Sequence, residues 1–386
     1  MEKHSRVCAE ISLSAVEHNF RSMRANLKDG VRMIAVVKTD AYGHGAEKIA
    51  RLVEDYDYIW GFAVATVEEG VRLRLAGIRK PILILGFTFP EDYETIVTQG
   101  LRPAVFKLSM ARQFSEAAGK AGVIAPVHIA VDTGMGRIGL QPDEESADTA
   151  AAIAALENLR IEGLFTHFAR ADEADKESAM LQFRRYMRFC DLLKERGVEP
   201  EIRHISNSAC IMELPRFHLD AVRAGITIYG IYPSDEVDRT KLDLRPVMAL
   251  KSRIIYIKEV PEGFPVSYGG TFVTSRPSRI ATVPVGYGDG YPRLLSNKAD
   301  VLIRGHRAPI VGRVCMDQLM IDLSDVPDPK FGEEVVVMGE QNGAKIDILE
   351  AGDFAGTSDT EFSCRLGRRL PIRYVGKLAK ELGYAE

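Results

Sequence analysis

A lysine placed directly after a run of apolar, mostly β-branched residues is the first feature with chemical promise. Lys38 follows Met33-Ile-Ala-Val-Val37, a run that predicts a strand buried on both faces. An amine leaving such a strand stands against a low-dielectric wall, which lowers its pKa and favours the free base that attacks a carbonyl. The position equally suits an ammonium that snorkels to water, so Lys38 alone leaves both uses open. Other apolar runs also end in polar residues: Thr166-His167, Ser206-Asn207-Ser208 and Arg223-Ala-Gly225-Ile226. A hydroxyl at Ser208 and free N–H groups around Gly225 and Ile226 suit a phosphate, while Gly225 equally suits a plain turn. His167 fits a general base, a stacking platform or a satisfied core residue. Gly134-Met-Gly136-Arg137-Ile-Gly139 has the GxGxxG spacing of a dinucleotide loop. Gln141-Pro142 follows at once and no long helix is expected there, so the segment reads as a tight loop that aims Arg137.

Three later segments also carry reactive residue types. Pro265-Val-Ser-Tyr268-Gly-Gly puts a tyrosine at a bend, where a phenol serves as acid or base if a partner lowers its pKa. Gly286-Tyr287-Gly-Asp-Gly-Tyr291-Pro is a second aromatic loop, and Cys315-Met316-Asp317 interrupts a long alternating run. The eight His form no HExxH and the five Cys no CxxC, so no catalytic metal and no disulfide framework are expected.

These residues need elements to position them. Eight apolar runs occur at Met33–Val37, Ile59–Val64, Ile82–Leu85, Arg102–Val105, Val127–Val131, Ile161–Thr166, Ile202–Ile205 and Leu219–Val222. Helical patterns alternate with them, at Ala46–Asp55, Val67–Ala76, Ser109–Gly122 and Lys176–Arg196. That alternation predicts a (β/α)8 barrel, whose site lies at the C-terminal ends of its strands; periodicity alone also allows an open doubly wound sheet. Ser14-Ala-Val-Glu17 reads as a capping box opening a helix to about Leu27. After Pro233 a polar linker, Ser234–Arg245, leads into alternating runs with few helical patterns before Val375–Leu382, and a mostly β domain is expected. The expected division is a barrel domain over 1–240 and a β domain over 241–386.

Composition narrows the partners. Across 386 residues, 50 Lys and Arg stand against 54 Asp and Glu, a net charge of −4 that argues against a chain built to coat nucleic acid. No stretch approaches 18 apolar residues and the N-terminus has no signal core, so no membrane span and a cytoplasmic location are expected.

Taken in order, the segments resemble the alanine racemase family of pyridoxal-phosphate (PLP) enzymes. Ala35-Val-Val-Lys38-Thr-Asp-Ala-Tyr42-Gly-His-Gly45 is similar to its lysine motif. The Asp132–Gly139, Thr166-His167, Asn207-Ser208, Arg223–Ile226, Ser267-Tyr268, Gly286–Tyr291 and Gly312–Asp317 segments follow in the family's order. The resemblance implies a barrel with a C-terminal β domain, a homodimer with shared sites, and interconversion of L- and D-alanine by two opposed bases. By that pattern Lys38 holds the cofactor covalently and is one base; Tyr268 of a second copy is the other. Tyr42, Ser208, Gly225 and Ile226 would hold the phosphate, Arg223 the pyridine nitrogen, and His167 would pack beside it or orient Arg223. Arg137 and the Met316 N–H would receive the substrate carboxylate, with Tyr287, Cys315 and Asp317 supporting the site. Two departures stand out: Ala130 replaces a carbamylated lysine that often steadies the arginine, and Arg368 replaces a tyrosine near phosphate and substrate. Both leave room for a racemase of larger amino acids such as serine. A PLP decarboxylase of related architecture is disfavoured, because it usually sets an acidic residue where this chain has Arg223.

Overall fold

The computed structural model describes residues 6–366 and 369–384. They fall into two compact units: Val16–Ala41 with Gly45–Arg245, and the chain up to Ala15 with Tyr42–His44 and everything from Pro246 onward.

In the first unit the strands are β2 (Arg32–Val36), β3 (Ile59–Val64), β4 (Ile82–Ile84), β5 (Arg102–Val105), β6 (Ala125–Ala130), β7 (Leu159–Phe165), β8 (Ile202–His204) and β9 (Ala221–Ala224); β1 (Val7–Ser12) belongs to the second. Strands β2 to β9 close into a parallel barrel, with Met33 of β2 opposite Val222 of β9. Their ends lie within two residues of the apolar runs in the sequence. The helices bury one stripe against this barrel. In Glu177–Glu195, Tyr186, Phe189 and Leu193 recur at helical spacing and pack with Ile129 and Leu164 of the strands. Tyr186 keeps its hydroxyl satisfied in that core by donating to the Leu164 carbonyl at 2.8 Å. Parallel closure leaves the C-terminal ends of all eight strands on one rim.

The second unit is built on a seven-stranded sheet in which β1 lies between Met248–Arg253 and Ile372–Val375. A three-stranded sheet joins Tyr256–Val260, Ser278–Val283 and Leu319–Asp322, and Pro265–Val266 pairs with Phe272–Val273.

Several local expectations are corrected. The first helix, Leu13–Ala25, is capped by Ser12 rather than Ser14: the Ser12 hydroxyl accepts the Ala15 N–H at 3.2 Å. A helix does follow Pro142, over Glu144–Ala154, because Asp143 caps it by accepting the Ser146 N–H at 2.9 Å. The glycines before it serve a different acceptor, since the N–H groups of Gly134 and Gly136 both donate to Asp132. The second unit holds more helix than expected, with Ile348–Ala355 capped by Asp347 and Asp359–Arg365 capped by Ser358. The expected final helix is a strand, Ile372–Val375, followed by a short helix, Lys377–Glu381. Among the described residues no helix is long and apolar enough to cross a membrane.

Candidate active site

Lys38 leaves β2 at the C-terminal rim and opens an unusual segment. Thr39, Asp40, Ala41 and Tyr42 have φ of 53°, 50°, 55° and 54°, a left-handed helical turn made of residues with side chains. Each such residue costs roughly 1–2 kcal/mol, so the turn persists only where its surroundings hold it. Glu69 supplies part of that hold: one carboxylate oxygen accepts the Thr39 N–H at 2.5 Å and the other accepts the Ala65 N–H at 2.7 Å. Asp40 adds a second anchor, with its side chain accepting the Ala46 N–H at 2.8 Å. Tyr42, at the end of the turn, is half-buried; burial first and the neighbouring Cys364 second push its phenol up to about 12.

Around the same rim, Arg223 is the most enclosed charge, 3% exposed. Its guanidinium donates to the carbonyls of Thr166 at 2.6 Å, His204 at 2.5 Å and Ile205 at 3.3 Å. It also faces Nδ1 of His204 at 3.1 Å and Nδ1 of His167 at 3.2 Å. His167 is driven down to about 3 by burial, then by the charges of Arg223, Arg137 and Lys38, so its ring is neutral. Three of the expected cations therefore act on this one imidazole. Ser208 is buried beside them, and its hydroxyl lies 2.9 Å from that of Thr227 while accepting the N–H of Gly225 at 3.1 Å. Ile226 follows Gly225 at the start of a single 3-10 turn. Arg137 is exposed and has no ion-pair partner among the described residues. The Ala130 methyl is buried with Ala104 and Phe165, beside Leu85 and Phe106, and offers nothing polar.

The second unit gathers its own candidates around an open hollow lined by Ser267, Tyr268, Cys315, Met316 and Asp317. Tyr268 is 69% exposed and sits between Ser267 and Gly269, both at positive φ. The Ser267 hydroxyl donates to the Arg313 carbonyl at 2.6 Å, tying the tyrosine bend to the Cys315 loop. That loop is laced to the aromatic one: the Tyr287 N–H donates to the Cys315 carbonyl at 3.1 Å and the Gly288 N–H to the Met316 carbonyl at 2.8 Å. Gly286 is required there, since a Cβ would meet the Cys315 carbonyl oxygen at 2.2 Å. Tyr287 and Met316 are exposed, whereas Tyr291 is a core residue packed near Phe362.

Arg368 lies outside the described residues. Its neighbour Arg369 joins Asp289 at 3.0 Å to Asp317 at 2.7 Å, a bridge the sequence reading missed. Also missed were Thr227 and His204. Thr227 was legible as the next rim residue after Ile226; His204 falls inside an apolar run and gave no signal.

A barrel rim presenting a lysine, a buried arginine and a hydroxyl narrows the field, and comparison with known proteins decides it. The alanine racemase N-terminal domain model matches residues 11–233 and the C-terminal domain model matches residues 247–374. The chain belongs to the alanine racemase family. The alanine racemase of Clostridium novyi is 46% identical over 389 residues, all of both chains. Among solved alanine racemases, that of Clostridium difficile 630 in complex with cycloserine superposes with a TM-score of 0.92 at 39% identity, covering 97% of each chain. The alanine racemase of Bartonella henselae, described with covalently bound pyridoxal phosphate, gives a TM-score of 0.85 at 29% identity over 96% of this chain and 100% of that one.

Proposed function

We propose that this chain interconverts L- and D-alanine with pyridoxal phosphate, and that Lys38 and Tyr268 are its two bases. The observation that carries the reading is the buried Arg223, held by backbone carbonyls and neutral imidazoles at the rim that also bears Lys38. The donor set suits the cofactor at each end. Ser208, the N–H groups of Gly225 and Ile226, and the phenol of Tyr42 would hold the phosphate, and Lys38 would hold the cofactor covalently. When bound, the cofactor supplies the electron sink that makes the substrate Cα proton labile.

Arg223 keeps its own proton, because guanidinium remains charged even where burial pulls it down to about 10. It would therefore donate to the pyridine nitrogen of a bound cofactor without protonating it, which would limit charge withdrawal and side reactions. Neutral His167 packs beside it without adding a second cation. Lys38 takes or returns the proton on one face of Cα. Tyr268 does so on the other, and its exposure supports a phenol delivered to the rim of a second copy in a homodimer. One base per face is needed, because a single group cannot easily remove a proton on one side and restore it on the other. Arg137 and the Met316 N–H would take the substrate carboxylate, with Tyr287, Cys315 and Asp317 shaping the approach. On this reading residues 1–240 carry the cofactor and residues 241–386 supply the phenol.

The test is chiral chromatography of L- and of D-alanine incubated with the purified protein and pyridoxal phosphate. Convergence of both on a racemic mixture is expected; an unchanged enantiomer would overturn the proposal.

A further inference from the structure

The barrel interior beneath Arg223 holds polar groups that the reaction leaves unused. His128 on β6 and His204 on β8 are fully buried, and Glu162 on β7 is 7% exposed. They form a continuous line. His204 Nδ1 lies 3.1 Å from Arg223 Nη1, His204 Nε2 lies 2.8 Å from His128 Nδ1, and His128 Nε2 lies 3.1 Å from Glu162 Oε2. We propose that Glu162, acting through His128 and His204, is a positioning residue for Arg223, lending a buried guanidinium a carboxylate at the far end of a one-way hydrogen-bond chain. This rests on the reading of Arg223 as the group that meets the cofactor.

Donor rules fix the direction. Arginine has only donors, so the Nδ1 of His204 facing it is bare and the proton sits on Nε2. That proton is directed at Nδ1 of His128, which is therefore bare as well. His128 carries its proton on Nε2 and donates it to the carboxylate. Every bond in the chain then points from Arg223 towards Glu162, and aligned bonds polarise one another in a low-dielectric interior. The arrangement answers a need, because no carboxylate pairs directly with Arg223 among the described residues.

The surroundings are built for this line. Gly163 lies opposite His128 in the β6–β7 register, and a Cβ there would meet His128 Nδ1 at 2.2 Å. Phe165 stacks on His204 at 5.2 Å and Trp60 lies 5.4 Å from His128, so apolar faces flank both rings. The charged groups facing Glu162 are Arg102 at 3.2 Å and Arg160 at 3.1 Å, and Arg160 also pairs with Glu201. Burial alone would raise the Glu162 carboxyl, but the His128 hydrogen bond and the Arg102 charge outweigh it and hold it at about 2. Burial keeps both imidazoles below the ordinary histidine range, so neither competes as a cation.

The experiment reads the tautomers directly, on the folded chain without cofactor, by two-bond 1H–15N correlation of 15N-histidine protein. His128 and His204 are expected as neutral Nε2–H rings throughout roughly pH 5 to 8, the range over which an ordinary histidine ionises. Glu162→Gln should keep both Nε2–H tautomers, because Arg223 still fixes the bare Nδ1 atoms and the amide oxygen still accepts from His128, but it removes the negative charge at the end of the chain. In the loaded enzyme it should lower kcat about tenfold with KM little changed, by analogy with outer partners of metal-bound histidines. Arg160→Gln removes an ion pair from Glu162 but keeps the carboxylate, and should leave tautomers and kcat as in wild type. An Nδ1–H ring or an imidazolium in the wild type overturns the chain, as does a folded Glu162→Gln protein with wild-type kcat. Should that variant fail to fold, the wild-type titration still decides. A protein that racemises alanine but shows the wrong tautomers overturns this proposal alone.

Discussion

Replacing Arg223 with lysine tests the central electrostatic argument, because the charge is kept and the geometry is lost. The Nη1 and Nη2 groups of the guanidinium serve five acceptors, three carbonyls, of Thr166, His204 and Ile205, and the Nδ1 atoms of His204 and His167, and none of these contacts uses the Nε–H. An ammonium has three donors on one centre, so at least two buried acceptors lose their partner. Each unsatisfied group costs about 1–3 kcal/mol, which puts the loss for two near 4 kcal/mol. At roughly 2–4 °C per kcal/mol, Tm should fall by roughly 8–16 °C. The chemistry should change as well. A buried lysine loses its proton far more readily than arginine does, so Arg223→Lys can hand a proton to the pyridine nitrogen. That deepens the electron sink and opens transamination, which releases pyruvate from alanine. The assays are a thermal melt and pyruvate detection coupled to lactate dehydrogenase. A variant with wild-type Tm and no added pyruvate would refute the account of Arg223.

Lys38→Ala should lose the borohydride-trappable cofactor, and peptide mapping of the reduced wild type should find the pyridoxyl group on Lys38 and no other lysine. Tyr268→Phe should slow solvent-deuterium exchange from one enantiomer far more than from the other, by about 10²–10⁴-fold for a lost general base; equal and mild effects would count against two opposed bases. Ala130→Lys places an amine among Ala104, Phe165 and Phe106, where conversion to a carbamate supplies the counter-charge that Arg137 lacks. Activity of that variant should rise with added bicarbonate while the wild type stays flat, and a flat response in both would reject the match. Glu162 is held at about 2, below its unfolded value, so its stabilisation is fully present above the unfolded pKa and is lost as pH falls through the folded one. Acid unfolding of wild type should therefore steepen between roughly pH 4 and pH 2 relative to Glu162→Gln, as followed by circular dichroism.

Local information in the chain was enough for the barrel and for much of the rim. Strands buried on both faces read as short apolar runs, and helices with one buried stripe read at their own period, so β2 to β9 and the long helix at Glu177–Glu195 were legible. Lys38, His167, Ser208 and Arg223 stood out because each is polar where an apolar run stops. Other features depended on residues far apart in sequence. The left-handed turn from Thr39 to Tyr42 runs against the preference of every residue in it, and Glu69, thirty positions away, helps to hold it. β1 finds its partners only in Met248–Arg253 and Ile372–Val375, far along the chain. His128, Glu162 and His204 sit within or beside apolar runs and look like isolated polar interruptions. Barrel closure sets strands β6, β7 and β8 side by side, with a register shift at Val127/His128 and a glycine opposite the ring. Residue type decides which groups can donate or accept, but only strand register decides which of them meet, because the inward positions of separate strands become neighbours only when the sheet closes on itself.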